Sequence, residues 1–140
     1  MFYSYEITVT AALTEANASE TIGKLTHGVI TRVSFRPRPG HCGLCHRQVF
    51  YHEHQIAPTN RGEDLHGDEF PIEWNEFEKL DSAPYDLKIK AWNDDDAYPH
   101  TFDISFALFP EWVAIPVSIA QVIKDVLQAL IPKRIWSKEK

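Results

Sequence analysis

Alternation of apolar and polar residues with a period of two runs through most of this chain of 140 residues. Tyr3, Tyr5, Ile7 and Val9 alternate with Ser4, Glu6, Thr8 and Thr10. Such a row faces a core on one side and solvent on the other, as in a half-buried strand. The longest stretch of this kind is 84–110. There Tyr85, Leu87, Ile89 and Ala91 oppose Asp86, Lys88, Lys90 and Trp92, and later His100, Phe102, Ile104, Phe106 and Leu108 oppose Thr101, Asp103, Ser105, Ala107 and Phe109. Adjacent Asp94, Asp95 and Asp96 repel one another and Pro99 lacks a donor, so the segment between the rows is a turn. The pattern predicts a β-hairpin with Leu87, Ile89, Phe102, Ile104 and Phe106 in the core.

The remaining segments read in the same way. Residues 14–20 are small and polar, a loop; Ile22, Lys24 and Leu25 lead to Gly28. Residues 29–35 are rich in β-branched side chains, as strands are, and Pro37, Pro39 and Gly40 end the run. Residues 44–51 form a further strand with Val49 and Tyr51 on one face, and 55–58 a short edge strand, since Pro58 tolerates no inner ladder position. After a polar loop at 59–67, Phe70, Ile72 and Trp74 alternate with Pro71, Glu73 and Asn75, and Phe77 and Leu80 close that strand. Seven or eight short strands separated by turn signals predict a mainly β fold, an antiparallel β-sandwich of Greek-key or jelly-roll type.

After Pro116 the period changes. Ile119, Ile123, Val126, Leu127, Leu130 and Ile131 recur at helical spacing, Ser118 with Gln121 makes a capping box, and Pro132 stops the run. The chain therefore divides into a sandwich, 1–116, and a C-terminal helix with a basic tail, 117–140. The helix has one apolar stripe, which packs either on its own sandwich or on a neighbour. Arg134 and Trp136 beyond it are residue types that anchor interfaces. Ile119, Ile123, Val126, Leu127, Leu130, Arg134 and Trp136 are accordingly the candidate interface residues.

Composition narrows the class. With 44% hydrophobic and 12% aromatic residues, the chain carries enough apolar surface for one packed domain. Its apolar runs are too short to cross a membrane as a helix. The amino-terminal strand pattern leaves no room for a signal peptide, so the expected compartment of synthesis is the cytoplasm. The net charge of −6 is unevenly spread: +1 over residues 1–60, −10 over 61–116 and +3 over 117–140. An acidic body argues against nucleic-acid binding through the sandwich, and the basic tail complements it.

Candidate chemistry centres on His41-Cys42-Gly43-Leu44-Cys45-His46. Cys42, Cys45 and His46 match the c-type haem attachment spacing, which requires export. Cys42 and Cys45 with His46, His52 or His54 would make half of a structural zinc site. The third reading, which we adopt, is a tight loop with Gly40 and Gly43 at the turn and the cysteines as small fillers, so no cofactor or bound zinc is expected. His52-Glu53-His54 would set two imidazoles on one strand face, where a metal needs a third ligand. The Asp94–Asp96 run lacks the spacing of a helix-loop-helix calcium site. No Gly-x-Ser-x-Gly and no His-Glu-x-x-His occurs, so no enzyme is expected from motifs. Trp74, Trp92, Tyr98 and Trp112 are candidates for stacking on sugars.

The order of turns and strand starts resembles that of small jelly-roll structural proteins of tailed phages and related viruses. The residues that carry it are Leu25-Thr26-His27-Gly28-Val29-Ile30-Thr31-Arg32-Val33, Pro39-Gly40, Gln55-Ile56-Ala57-Pro58-Thr59-Asn60, Ala91-Trp92-Asn93-Asp94 and Tyr98-Pro99-His100-Thr101. The resemblance implies a non-enzymatic virion component: a decoration, minor capsid or neck protein, assembled in the host cytoplasm. Its partners would be further copies of itself or capsid or neck proteins. The Cys42–Cys45 loop and the C-terminal helix lie outside the pattern. A soluble carbohydrate- or metal-binding sandwich is the alternative from a different class.

Overall fold

The computed structural model describes residues 1–114 together with 123, 124, 126 and 127. Eight strands, β1 (Phe2–Val9), β2 (Ser19–Lys24), β3 (Gly28–Pro37), β4 (Cys45–Tyr51), β5 (His54–Ala57), β6 (Ile72–Leu80), β7 (Asp86–Asn93) and β8 (His100–Phe109), precede one turn of helix, α1 (Glu111–Ala114). They form two four-stranded antiparallel sheets, ordered β1-β8-β3-β6 and β2-β7-β4-β5. Strands pair first with last and inward from there: β1 with β8, β2 with β7, β3 with β6, β4 with β5. A long antiparallel ribbon rolled into two layers has this order, so the sandwich is a jelly roll.

The rolled ribbon corrects one expectation. β7 and β8 are not a hairpin; they lie in opposite sheets. Leu87, Ile89 and Ala91 on one and Phe102, Ile104, Phe106 and Leu108 on the other are all buried. In facing sheets, about 10 Å apart, the two apolar rows cover each other, whereas side by side in one sheet both would still need a second layer. The crossing at residues 94–99 is built by side chains. Asp95 Oδ1 accepts the backbone N–H of Ala97 (2.8 Å) and Tyr98 (3.1 Å), and Asn93 Nδ2 donates to the Tyr98 carbonyl (2.8 Å). The acidic run that signalled a turn is an arch between layers.

Two further local readings change. Ser19 and Glu20, expected in a loop, begin β2. That strand escapes notice because its inward positions are small and its outward Ile22 is half exposed. Inward-facing Gly23 leaves room for the Tyr5 ring, whose Cε2 lies 3.1 Å from where a Cβ would stand. His52 and Glu53 are not strand residues but the two-residue turn between Tyr51 and His54, which pair across β4 and β5. His52 stands there at φ 52°, so His52 and His54 do not share a strand face.

The core joins both sheets through residues such as Val33, Phe35, Val49, Leu80, Leu87, Ile89, Phe102, Ile104 and Phe106. Arg47, on the inward row of β4, is buried among them. The expected helix over 119–131 falls mainly outside the described residues, as do Ile119, Leu130, Arg134 and Trp136; Ile123, Val126 and Leu127 are helical and half exposed. Helical structure already begins at Glu111, ahead of the boundary drawn at 116. Glu111 holds α1 to the sandwich through Lys79 Nζ (2.7 Å) and faces His27 (3.7 Å). Among the described residues, no helix is long and apolar enough to cross a membrane.

Candidate functional site

The hexapeptide around the cysteines does not gather its ligands. Leu44 donates to the His41 carbonyl at 2.8 Å, closing a turn whose central residues, Cys42 and Gly43, both have positive φ (48° and 76°). That is the combination of a type I′ turn. Cys42 is exposed at its tip, while Cys45 opens β4 and points into the core. Burial raises the Cys45 thiol pKa, against a smaller opposing effect of Arg47. The two thiols are free and lie in opposite surroundings, so the structure does not assemble the half zinc site read from Cys42, Cys45, His46, His52 and His54.

Of those candidates only His46 enters a cluster. It stands on the outer face of the sheet β2-β7-β4-β5, opposite Trp92 of β7, and the two rings stack at 5.3 Å with planes 7° apart. A loop, 58–71, runs beside β4 and is bridged to its edge at Arg47 and Leu65. Arg47 and Leu65 exchange backbone hydrogen bonds (3.1 and 2.9 Å), Gln48 Nε2 donates to the Glu63 carbonyl (3.1 Å), and buried Gln55 donates to the carbonyls of Pro58 (2.7 Å) and Glu63 (2.9 Å). Leu65 packs against the core, and its neighbours Asp64 and His66 reach His46.

Asp64 Oδ1 lies 2.7 Å from His46 Nδ1 and 2.9 Å from His66 Nδ1. The ligand atoms of these three residues lie within 4.8 Å of one another. Burial pushes the Asp64 carboxyl upward, but hydrogen bonds from His46 and His66 outweigh it and hold the group below the usual carboxylate range. On the far side of the ring, His46 Nε2 faces Asp94 Oδ2 at 3.4 Å. Asp64 and His66 were not singled out from the sequence. The available signal was the alternation Asp64-Leu65-His66, two donor side chains flanking an apolar one, inside what read as a polar loop.

Below this site the molecule holds a second set of polar groups. His41 is buried, its Nε2–H donating to the Thr101 carbonyl (2.8 Å), with the His100 ring 4.7 Å away. His100 in turn contacts Asp95 at 3.1 Å. Arg47 Nε donates to the Leu65 carbonyl and Nη2 to the Cys45 carbonyl, both at 2.6 Å. Burial lowers the Arg47 pKa to about 10, so it stays charged at neutral pH.

The aromatic residues considered for sugar stacking are dispersed. Trp74 packs against the core, Trp92 is buried beside His46, and exposed Tyr98 and Trp112 sit beyond opposite ends of the ten-residue β8, about 30 Å apart at strand rise. Other aromatic side chains are exposed on the opposite sheet. Phe2, Phe77 and Phe109 project from the outer face of the sheet β1-β8-β3-β6, and Trp112 follows on α1; they are 48–75% exposed. Phe2 is paired with Ala107, two residues from Phe109 on the same face, within reach for large side chains.

Fold and sites together define an eight-stranded jelly roll with an aromatic patch on one outer face and a histidine–carboxylate cluster on the other. No protein-family model and no curated protein matches the chain. The solved crystal structure of PirA aligns with 75% of this chain and 94% of its own at 15% identity and a TM-score of 0.36.

Proposed function

We propose that this chain is a non-enzymatic assembly module, a virion component of the decoration, minor capsid or neck class, that works by binding further copies of itself or capsid or neck proteins. The observation that carries the reading is the pair of exposed aromatics Phe2 and Phe109, diagonal neighbours on the outer face of β1 and β8, with Phe77 exposed on the same face and Trp112 exposed on α1. Clustered exposed aromatics beside a polar surface are what protein interfaces are made of. The patch lies where the chain leaves the sandwich toward its apolar-striped C-terminal segment, and Ile123, Val126 and Leu127 of that segment are half exposed in the single copy. The virion assignment itself rests on the resemblance of turns and strand starts, which is an argument from fold, and folds host many functions.

The test is the molar mass of the full chain by light scattering, over a range of concentrations, beside a Phe109→Ser/Trp112→Ser variant. Both side chains are exposed, so the variant keeps the wild-type circular dichroism. The reading expects a wild-type oligomer, or co-sedimentation with assembled particles, and loss of either in the variant. A wild-type chain that stays monomeric and is absent from particles sinks it.

A further inference from the structure

We propose that His46, Asp64 and His66 form a binding site for one divalent transition-metal ion of the zinc type, with the Asp94 carboxylate on the far side of the His46 ring. The inference is independent of the assembly reading, and it replaces the cysteine-based donor set with a nitrogen–oxygen one.

Two imidazoles and one carboxylate are donors that zinc takes, and three protein ligands with an open fourth position is a common arrangement. Neighbouring donors around a tetrahedral ion with bonds near 2 Å stand about 3.3 Å apart. Asp64 Oδ1 already stands 2.7 Å from His46 Nδ1 and 2.9 Å from His66 Nδ1. The donors thus need shifts of only tenths of an ångström on the carboxylate side.

The protons point the same way. Both ring nitrogens of His46 face carboxylate oxygens, Nδ1 toward Asp64 and Nε2 toward Asp94. A neutral imidazole has a single N–H and can satisfy one of them. An ion on Nδ1 leaves the proton on Nε2, on the side where Asp94 Oδ2 stands at 3.4 Å, so a small turn of the Asp94 carboxylate would receive it. A histidine ligand whose second nitrogen donates to a carboxylate is the usual arrangement behind a bound metal. The parallel Trp92 ring fixes the plane of His46. Asp94 is itself set by its backbone N–H, which donates to the Leu44 carbonyl at 2.9 Å.

The ligands come from β4 and from a loop 18 residues further along the chain. One ion would therefore tie the loop to the sheet and stabilise the folded state in proportion to its binding. His66 is 57% exposed in its side chain, which leaves the open position accessible from solvent.

The experiment is calorimetric titration of zinc into the full chain after dialysis against a chelator, with cobalt loading followed by its absorption spectrum. The expected result is one ion per chain, a rise in thermal midpoint, and a cobalt spectrum without thiolate charge transfer. Cys42→Ser should bind as the wild type does. Asp64→Asn and His66→Ala should each weaken binding at least about tenfold. Because His66 is exposed, His66→Ala keeps the fold even if the Asp64 variant does not, and circular dichroism checks both. Absence of saturable binding, binding unchanged in His66→Ala, or a thiolate-type cobalt spectrum overturns the proposal.

Discussion

The Arg47 guanidinium carbon lies 3.6 Å from the centroid of the Phe35 ring, in the middle of the sandwich. Phe102 flanks it at 4.8 Å, so a cation is held by two ring faces and two backbone carbonyls, with no carboxylate bonded to it among the described residues. Cation–ring contacts are worth more when desolvated; the Cys45 carbonyl accepts from this side chain, and the Leu65 carbonyl accepts both its Nε–H and the Arg47 backbone N–H.

Replacing Arg47 with alanine should therefore cost about 3 kcal/mol or more, from the cavity between the rings and the hydrogen bonds lost at the Cys45 and Leu65 carbonyls. Arg47→Met refills the volume without a buried charge and should cost clearly less. Urea unfolding of the two variants decides it. Equal losses would show that the charge, not the packing, matters there.

Gly28 is the point where β3 starts against β8. A Cβ at this position would stand 2.7 Å from the Phe109 carbonyl oxygen, a backbone atom that cannot swing aside. Gly28→Ala should destabilise by roughly 1–3 kcal/mol through overpacking. Gly62, whose Cβ would meet nothing within 4 Å, is no control because its φ of 83° strains any side chain. A wild-type midpoint in Gly28→Ala would mean that the strand ends separate more easily than their register suggests.

Stability should fall as the pH drops below about 6.5. Burial holds the His41 pKa below the ordinary histidine value, and Arg47 and His100 push in the same direction; the Thr101 hydrogen bond and Asp68 oppose them. The folded pKa lies below the unfolded one, so as the pH falls the unfolded chain takes up the proton first. The contribution is complete above the unfolded value and is lost as the pH falls toward the folded one. In urea midpoints between pH 7.5 and about 5, His41→Gln should show a shallower decline than the wild type. Parallel curves would remove His41 as the cause.

Deleting residues 117–140 should leave a folded sandwich that no longer assembles. All eight strands lie within residues 2–109, and the segment's charge of +3 against −10 over residues 61–116 favours association between copies. Circular dichroism and light scattering on the truncated chain read the two parts separately. Unfolding would assign the segment to its own core, and unchanged assembly would place the interface elsewhere.

The sequence by itself determined the layer facing the core. The rows Leu87, Ile89, Ala91 and Phe102, Ile104, Phe106 are buried as their alternation requires, because the direction of side chains along a strand is a local property with a period of two. It also placed the edge strand, read as 55–58 and found at His54–Ala57, and the breaks at Pro39 and Gly40. The tertiary structure alone decided which strands are neighbours. Alternation in β7 and β8 is equally satisfied by a hairpin and by two facing sheets, and only the nested pairing of all eight strands selects the latter. The burial of Arg47 likewise depends on Phe35 and Phe102, from β3 and β8 of the facing sheet. The same holds for the histidine cluster. His46 stood in a visible motif, but its partners were not the nearby cysteines, because a turn with two positive φ angles sends Cys42 outward and Cys45 inward. Asp64 and His66 reach it because Leu65 is drawn onto Arg47, a contact between segments that no local pattern encodes.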